Sequence, residues 1–141
     1  MSVKEVTKPR VNKVLKELNV DPIAAEDGSL VAQYVDALIS VSVEEHSVIV
    51  STVWRGLFRE RADVDKLLPF VNSLNEMFAT GRVVATEDKE KSMIVIQSLP
   101  IATGLTDSQL KASLQAMLVT SSQLCDEAAA RFPHLITWKK D

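Results

Sequence analysis

The side chains best suited to binding chemistry lie in one short segment of the 141-residue chain. The run Trp54-Arg55-Gly56-Leu57-Phe58-Arg59-Glu60-Arg61 places three arginines and two aromatic residues within eight positions. Guanidinium groups form paired hydrogen bonds with carboxylates and phosphates, and aromatic rings supply contact area. We call this run the arginine segment and interpret it as a candidate docking site for an acidic peptide or an anion. Its candidate partner-binding residues are Trp54, Arg55, Phe58, Arg59 and Arg61.

A structural interpretation of the arginine segment stays open. The two aromatic residues would then close one end of the core, and the arginines would be solvated or paired with Glu60 and Asp63. Asn72 and Asn75, one helical turn apart, allow a similar choice. They either hydrogen-bond a neighbouring strand as structural contacts or read the backbone of a bound peptide.

The remaining reactive side chains form no catalytic motif. His46 lies in a predicted turn beside Glu44 and Glu45, where a solvated imidazole is expected, and His134 is expected to interact with the last carbonyl groups of a helix. The single cysteine, Cys125, falls on an apolar stripe, which predicts a buried thiol. The sequence has no glycine-rich phosphate loop and no C-x-x-C pair. We therefore expect no catalytic residues, no metal and no cofactor.

The composition is that of an ordinary globular domain, with 46% hydrophobic and 25% charged residues. We expect a single domain spanning residues 1–141, with flexible tails at 1–7 and 137–141. The net charge of −3 is spread evenly and lacks the basic footprint of nucleic-acid-binding proteins, so no nucleic-acid partner is expected. No apolar run approaches the roughly 20 residues that cross a bilayer, which argues against membrane insertion. The single cysteine and the lack of an apolar leader predict a cytoplasmic location.

The first half of the chain predicts one helix followed by an antiparallel meander. Apolar spacing indicates a helix from Lys8 to Asn19 with Thr7 as its N-cap. Asp27-Gly28 is typical of a two-residue hairpin turn, and alternation of apolar and polar residues continues after it. The four predicted strands of the meander span residues 23–26, 29–35, 35–43 and 47–54.

The second half predicts a helix, a hairpin and a long final helix. The second helix is expected from Asp63 to Thr80, with Gly81 in the C′ position. Pro69 leaves two alternatives open: a kinked continuous helix, or a short turn followed by a helix that begins at Pro69. The remaining elements are strands at 82–86 and 92–99, joined by a solvated turn in the charged run 87–91, and a helix at 107–131.

The final helix is predicted most directly, because Thr106-Asp107-Ser108-Gln109 has the pattern of a capping box. The complete order is α-ββββ-α-ββ-α, an α+β fold with about six antiparallel strands and three helices. The residues expected to be largely buried are Trp54, Phe70, Phe78, Leu114, Leu118 and Leu124.

The predicted sheet carries apolar side chains on both faces. Three helices, the first of them short, are too few to cover two faces, and monomers seldom expose apolar patches of several hundred Å². We therefore expect a homodimer that forms through part of the sheet or through the third helix. The residues expected on one face are Leu38, Ile49, Val53, Ile94 and Ile96, and those on the other are Ile39, Val41, Met93 and Val95.

The order of these elements, together with four local motifs, resembles the bacterial YbjN family, whose fold is similar to that of type III secretion chaperones. The resemblance covers about Arg10 to Pro133. One departure is Ala37 in Tyr34-Val35-Asp36-Ala37, where many relatives have glycine. The motifs are the acidic turn Glu26-Asp27-Gly28, the strand end Trp54-Arg55, the helical Asn72-Ser73-Leu74-Asn75, and Gly104-Leu105-Thr106-Asp107-Ser108-Gln109-Leu110.

The resemblance implies a regulator of sensory transduction with no agreed ligand or enzymatic activity, and a dimeric module that binds a peptide or protein. We therefore predict a non-enzymatic cytoplasmic interaction module, regulatory or chaperone-like in character. The alternative is a small-molecule or anion sensor, or a small enzyme, that uses Arg55, Arg59 and Arg61. A flat apolar surface favours the module, whereas an enclosed pocket holding a histidine and a carboxylate favours the enzyme.

Overall fold

The computed structural model describes residues 2–34, 37–78, 81–86 and 90–136. Within them, three helices and six strands follow the predicted order α-ββββ-α-ββ-α. The helices are α1 (Lys8–Glu17), α2 (Arg61–Met77) and α3 (Asp107–Arg131), and a 3₁₀ turn at Pro133–Leu135 follows α3. The strands are β1 (Ile23–Ala24), β2 (Leu30–Tyr34), β3 (Ala37–Val43), β4 (Ser47–Trp54), β5 (Arg82–Ala85) and β6 (Met93–Pro100).

All six strands form one antiparallel sheet in the order β1-β2-β3-β4-β6-β5. The hairpin joins the meander through β6, which pairs with β4 in the register Ser51↔Ile96 and Thr52↔Val95. The predicted fold class is therefore confirmed, and β4 lies near the middle of the sheet.

The two faces of the sheet differ in what covers them. Along β4 the residues Val48, Val50, Thr52 and Trp54 are buried, while those between them are half-buried. All three helices contribute to the core clusters that contain the buried strand residues. We call this the covered face. The opposite face, which we call the open face, carries no helix in the part of the chain that the structure describes.

The core under the helices has two apolar clusters with a polar contact between them. One cluster joins α1 and the first half of α3 to β2, β3 and β4, and the other joins α2 and the second half of α3 to β5 and β6. Between them Thr52 Oγ1 donates to Ser121 Oγ at 2.9 Å. Gln97 Nε2 donates to the same hydroxyl at 2.9 Å and to the Met117 carbonyl at 2.8 Å. These bonds fix α3 across the centre of the sheet.

Four of the six predicted core residues are fully buried: Trp54, Leu114, Leu118 and Leu124. Phe70 and Phe78 pack against the margin of the second cluster and are less enclosed than the other four. Phe78 follows the last residue of α2 and takes an extended conformation. Phe78 therefore lies where α2 leaves the core, whereas Phe70 lies in the middle of α2 and packs against Phe132.

Helix α2 is continuous through Pro69, which decides between the two alternatives. The missing hydrogen bond would have gone to the carbonyl of Asp65, and both residues are solvent-exposed, so water can reach that carbonyl. The helix ends at Met77 rather than at the predicted Thr80, and Gly81 is not its C′ residue. The cause is the extended backbone of Phe78, with φ −113° and ψ 119°.

The N-terminal elements are shorter than predicted. Helix α1 begins as expected, with Thr7 Oγ1 accepting from the Arg10 amide, but it ends at Glu17 because Asn19 takes a left-handed conformation with φ 64°. The β1–β2 connection spans residues 25–29 instead of a two-residue turn, and the bond from the Ala25 amide to the Ser29 carbonyl encloses three of them. Strand β1 accordingly contains only two residues.

The segment before α1, which we expected to be a flexible tail, is held against the start of α3. The amide and carbonyl of Lys4 bond with those of Leu105 at 3.1 and 3.0 Å. The Arg10 guanidinium donates to the Lys4, Glu5 and Leu105 carbonyls and to Asp107. Arg10 therefore joins three parts of the chain that local sequence patterns do not connect.

Helix α3 has the predicted bounds and both halves of the predicted capping box. No helix among the described residues is long and apolar enough to cross a membrane. Several predicted features lie outside the described residues: Val35 and Asp36 in the β2–β3 connection, Thr80 at the expected helix end, the hairpin turn at Glu87-Asp88-Lys89, and the tail 137–141.

Candidate functional site

The arginine segment connects β4 to α2 and is held on both sides by backbone hydrogen bonds. The amide of Phe58 donates to the Lys91 carbonyl at 2.7 Å, and the Lys91 amide donates back at 3.2 Å. The amide of Leu57 donates to the Leu135 carbonyl at 3.0 Å. The segment is thus a fixed part of the fold, between the start of β6 and the chain after α3.

The two aromatic residues of the segment face the core. Trp54 is 1% exposed and Phe58 is 0% exposed, with ring centroids 6.1 Å apart. Phe132 packs edge-on against Phe58 and Phe70, at centroid distances of 5.0 and 5.1 Å. In this conformation Trp54 and Phe58 contribute packing, and the surface of the segment comes from its arginines.

Gly56 is required by the same packing. A Cβ at this position would lie 2.0 Å from a ring carbon of Trp54, far inside van der Waals contact. Any side chain would therefore displace a large aromatic ring of the core. The glycine lets the backbone turn directly over the indole, which sets where the flanking arginines emerge.

The three arginines lie in different surroundings. Arg59 Nε donates to Glu90 Oε1 at 3.0 Å, with both side chains about half exposed. Arg61 is exposed and is the first residue of α2, and Arg55 is half-buried. The predicted pairing with Glu60 or Asp63 does not describe Arg59, whose carboxylate partner comes from the hairpin. Arg59 and Arg61 are thus the exposed guanidinium groups of the segment, and Arg59 is already paired with a carboxylate.

Asp63 instead pairs with His134. The distance from His134 Nε2 to Asp63 Oδ1 is 3.0 Å, with side-chain exposures of 58% and 13%. The expectation that His134 contacts the last carbonyls of a helix is therefore wrong; its ring contacts the first turn of α2. An imidazole this exposed is not in an enclosed pocket, and the pair fastens the 3₁₀ turn to α2.

The other reactive side chains occupy simple environments. His46 is exposed in its turn, 3.7 Å from Glu45, and Cys125 is buried, both as predicted. The side-chain and backbone hydrogen bonds from Ser29 lower the pKa of Asp27, which is fully exposed. Within the described ranges, no cluster of three or more His, Cys, Asp or Glu residues has the geometry to hold a metal ion.

The open face has a relief of large and small side chains. Register pairing sets Leu38, Val53, Ile94 and Val84 side by side across four strands, a row that we call the ridge. The next row contains Ser40 opposite Ser51, which we call the trough. Leu38 is 42% exposed and the other three ridge residues are half-buried. Among the described residues, the face thus offers a shallow apolar surface without converging titratable groups.

One edge of the sheet is closed by a side chain. The Asn75 amide group bonds both backbone groups of Val83 in β5, accepting from its N–H at 2.8 Å and donating to its carbonyl at 3.0 Å. Asn75 therefore takes the place of a neighbouring strand, and its predicted structural role is confirmed. Asn72 is solvent-exposed.

Sequence reasoning missed the partners of Arg59 and His134 and the reason for Gly56. Each of these contacts joins residues far apart in the chain, except for Trp54 and Gly56, whose contact depends on a ring orientation. A glycine two residues after a tryptophan at a strand end was the one visible signal. The open face was anticipated, since apolar residues had been expected on both sides of the sheet.

Comparison with known proteins gives one family. The family model YbjN, described as "Putative bacterial sensory transduction regulator", matches residues 7–130. None of the curated proteins matches the chain in sequence. The match covers all three helices except the last residue of α3, and it excludes the 3₁₀ turn that carries His134.

Solved structures share the fold at low sequence identity. YbjN from E. coli, described as "a putative transcription regulator", has a TM-score of 0.77 at 16% identity and covers 92% of this chain and 96% of that chain. An uncharacterised protein from Methanothermobacter thermautotrophicus has a TM-score of 0.60 at 14% identity, covering 90% and 99%. A chain of the HopA1–SchA chaperone–effector complex has a TM-score of 0.54 at 13% identity, covering 84% and 92%.

Proposed function

The chain belongs to the YbjN family, and from that premise we propose that it is a non-enzymatic protein-interaction module of the cytoplasm, regulatory or chaperone-like, that forms a homodimer and binds an acidic protein or peptide. The observation that carries this proposal is the open face, an apolar surface over which no helix of the described residues lies. Surfaces of this kind mark sites of protein contact. The similarity to a chain of a chaperone–effector complex supports a protein as the partner.

The geometry offers less support for catalysis. Catalytic sites generally enclose titratable groups whose pKa values are shifted by burial and by each other. The His134–Asp63 pair is the arrangement closest to a catalytic dyad, but its imidazole is 58% exposed and its ring holds a surface turn in place. The proposed action is therefore binding.

The arginine segment is the proposed docking site for the acidic protein or peptide. Arg59 and Arg61 are exposed, and Arg55 lies half-buried in the same segment. The backbone around them is held by the hydrogen bonds of Phe58 and Leu57, so binding would order the arginine side chains but not the main chain. A carboxylate-rich partner would compete with Glu90 for Arg59, which predicts an affinity that falls as salt rises.

The test is capture of partners by the immobilised chain from a bacterial lysate, followed by mass spectrometry. Replacing Arg55, Arg59 and Arg61 together by Gln should abolish capture while changing the free energy of unfolding by about 1 kcal/mol or less. The double variant Arg59→Gln/Arg61→Gln spares the half-buried residue and should give most of the loss.

A matched control removes the same number of charges elsewhere. Lys13, Lys16 and Lys66 are exposed, and replacing them by Gln should leave capture unchanged. If the triple arginine variant unfolds, the arginines belong to a network of contacts that stabilises the fold. If it folds and captures every partner that the wild type captures, the docking site lies elsewhere.

A further inference from the structure

The open face is nearly free of charge as well as apolar. Among the described strand residues, Arg82 at the β5 edge is the one charged side chain on this face. Leu38, Val53, Ile94 and Ile96 lie on it together with serines. We propose that a second copy of the chain covers this face, so that the homodimer is a face-to-face sandwich of two sheets. This inference rests on the proposed function, since it assigns a surface to the homodimer included there.

The lack of charge favours a second copy over other occupants. A two-fold axis brings one surface against itself, so a charged patch would meet a patch of its own sign. Among the described strand residues of the open face, only Arg82 meets its own charge in such a pairing, at an exposed margin where solvent screens it. An acidic or basic peptide would find no counter-charge on the ridge or in the trough.

The relief of the face is also self-complementary along β3 and β4. The ridge runs through Leu38 and Val53, and the trough runs through Ser40 and Ser51, one row away on the same strands. A two-fold axis between the sheets, parallel to the two rows and midway between them, places this part of the ridge of each copy in the trough of the other. On β6 it sets Ile94 against Ile96 of the partner subunit, since Ile96 continues the row of the trough. Leu38 then faces Ser40 of the partner subunit, and Val53 faces Ser51 of the partner subunit.

The size of the face limits the area that the dimer can bury. With strands about 4.8 Å apart and like-facing residues about 6.8 Å apart along a strand, the face measures about 500 Å². Two copies would bury about 1,000 Å² in total, which is below the area of most stable interfaces and within the range of weak or transient ones. Because the contact is small and carries its one described strand charge at the margin, we expect dissociation in the micromolar range with little dependence on salt.

The edges of the sheet do not offer an equivalent route to a dimer. Asn75 occupies the outward backbone groups of Val83 in β5. At the other edge β1 contains only Ile23 and Ala24, too short for an extended pairing between copies. Short or blocked edge strands are a common means of preventing edge-to-edge association. Association through the face is the arrangement that this sheet permits.

The experiment is sedimentation equilibrium across micromolar concentrations. The wild-type mass should rise from the 15.5 kDa of one chain towards twice that value. Leu38→Glu should weaken the dimer about 100-fold or more, because a carboxylate would be buried against the partner without a counter-charge. Ser40→Lys should weaken it similarly. The far-UV circular dichroism of each variant shows that it is folded.

The register makes a sharper claim, which mixing the two variants tests. One Leu38→Glu chain and one Ser40→Lys chain form an ion pair at one contact and keep the native contact at the other. The mixture should therefore form a heterodimer within about 10-fold of wild-type affinity. Val53→Glu with Ser51→Lys is a second pair on β4 and should behave alike, so that one misfolded variant does not decide the result.

Val119→Glu is the matched control, because Val119 is 47% exposed on α3 and lies away from the sheet. It should leave the dimer intact. A monomeric wild type, or a dimer that Leu38→Glu and Val53→Glu leave intact, would overturn the inference. If neither mixture of complementary variants forms a heterodimer, the proposed pairing of ridge with trough is overturned as well. A monomeric chain that still captures a partner through its arginines would remove the dimer and keep the proposed binding function. A dimer that captures no partner would remove the binding function and keep the dimer.

Discussion

The covered and open faces of the sheet are built from alternate residues of the same strands, yet they have different roles. On β4 the neighbours Thr52 and Ser51 illustrate the difference. Thr52 is 1% exposed and donates a hydrogen bond to Ser121 of α3, whereas Ser51 is half-buried and lies in the trough. Both faces carry valine and isoleucine. The helices, rather than the strand residues themselves, therefore determine which apolar surface becomes the core.

The comparison also shows how each face treats its polar groups. On the covered face the side-chain amide of Gln97 is buried and bonds Ser121 and the Met117 carbonyl. Buried polar groups need such partners because water cannot reach them. On the open face the serines remain within reach of solvent. A protein surface that contacts a partner reversibly has to be stable both in solvent and against the partner.

The largest expected effect is a difference between the two faces in how much a truncated side chain lowers the free energy of unfolding. Leu118→Ala removes a side chain that is 4% exposed under the sheet and should lower the free energy of unfolding by about 2 to 5 kcal/mol. Leu38→Ala on the open face should cost less than about 1 kcal/mol at concentrations where the chain is monomeric. Urea titration measures both values. A loss below about 1 kcal/mol for Leu118→Ala would show that α3 does not cover a tightly packed core.

A smaller effect is expected from the neighbouring hydroxyls. Thr52→Val keeps the shape of the side chain but removes the donor to Ser121, and it should cost about 1 to 2 kcal/mol. Ser51→Val should leave the monomer within about 0.5 kcal/mol of the wild type, since valine suits a strand. Thermal unfolding at low protein concentration compares the two variants. Equal destabilisation by both would mean that the faces are not distinct in packing.

The smallest effect belongs to a charge that lies on neither face. Ser29 bonds hold the pKa of the exposed Asp27 below its ordinary value of 3.8. A depressed pKa stabilises the folded state above the pKa of the unfolded chain, and this contribution is lost as the pH falls through the folded-state pKa. Ser29→Ala should raise the pKa of Asp27 towards 3.8, as followed by NMR titration of the carboxylate. An unchanged titration would show that the Ser29 hydroxyl does not bond Asp27 in solution.

The sequence by itself determined the features that depend on near neighbours in the chain. The capping box of Thr106 and Gln109, the bounds of α3, and the alternation along β4 were predicted correctly, because each arises from residues within a few positions of one another. The family resemblance rested on the order of those elements. The early ends of α1, β1 and α2 were missed. Each depends on the backbone angles of one or two residues rather than on a pattern of residue types.

Only the tertiary structure decided which groups meet across the chain. Arg59 pairs with Glu90 and His134 with Asp63, at separations of 31 and 71 residues. Gly56 is fixed by the ring of Trp54, and Asn75 by the backbone of Val83. Alternation along a strand places residues on two faces but is symmetric between them. The packing of all three helices on one side breaks that symmetry, and it leaves the ridge and trough in solvent because the chain has no further helix within the described residues to cover them.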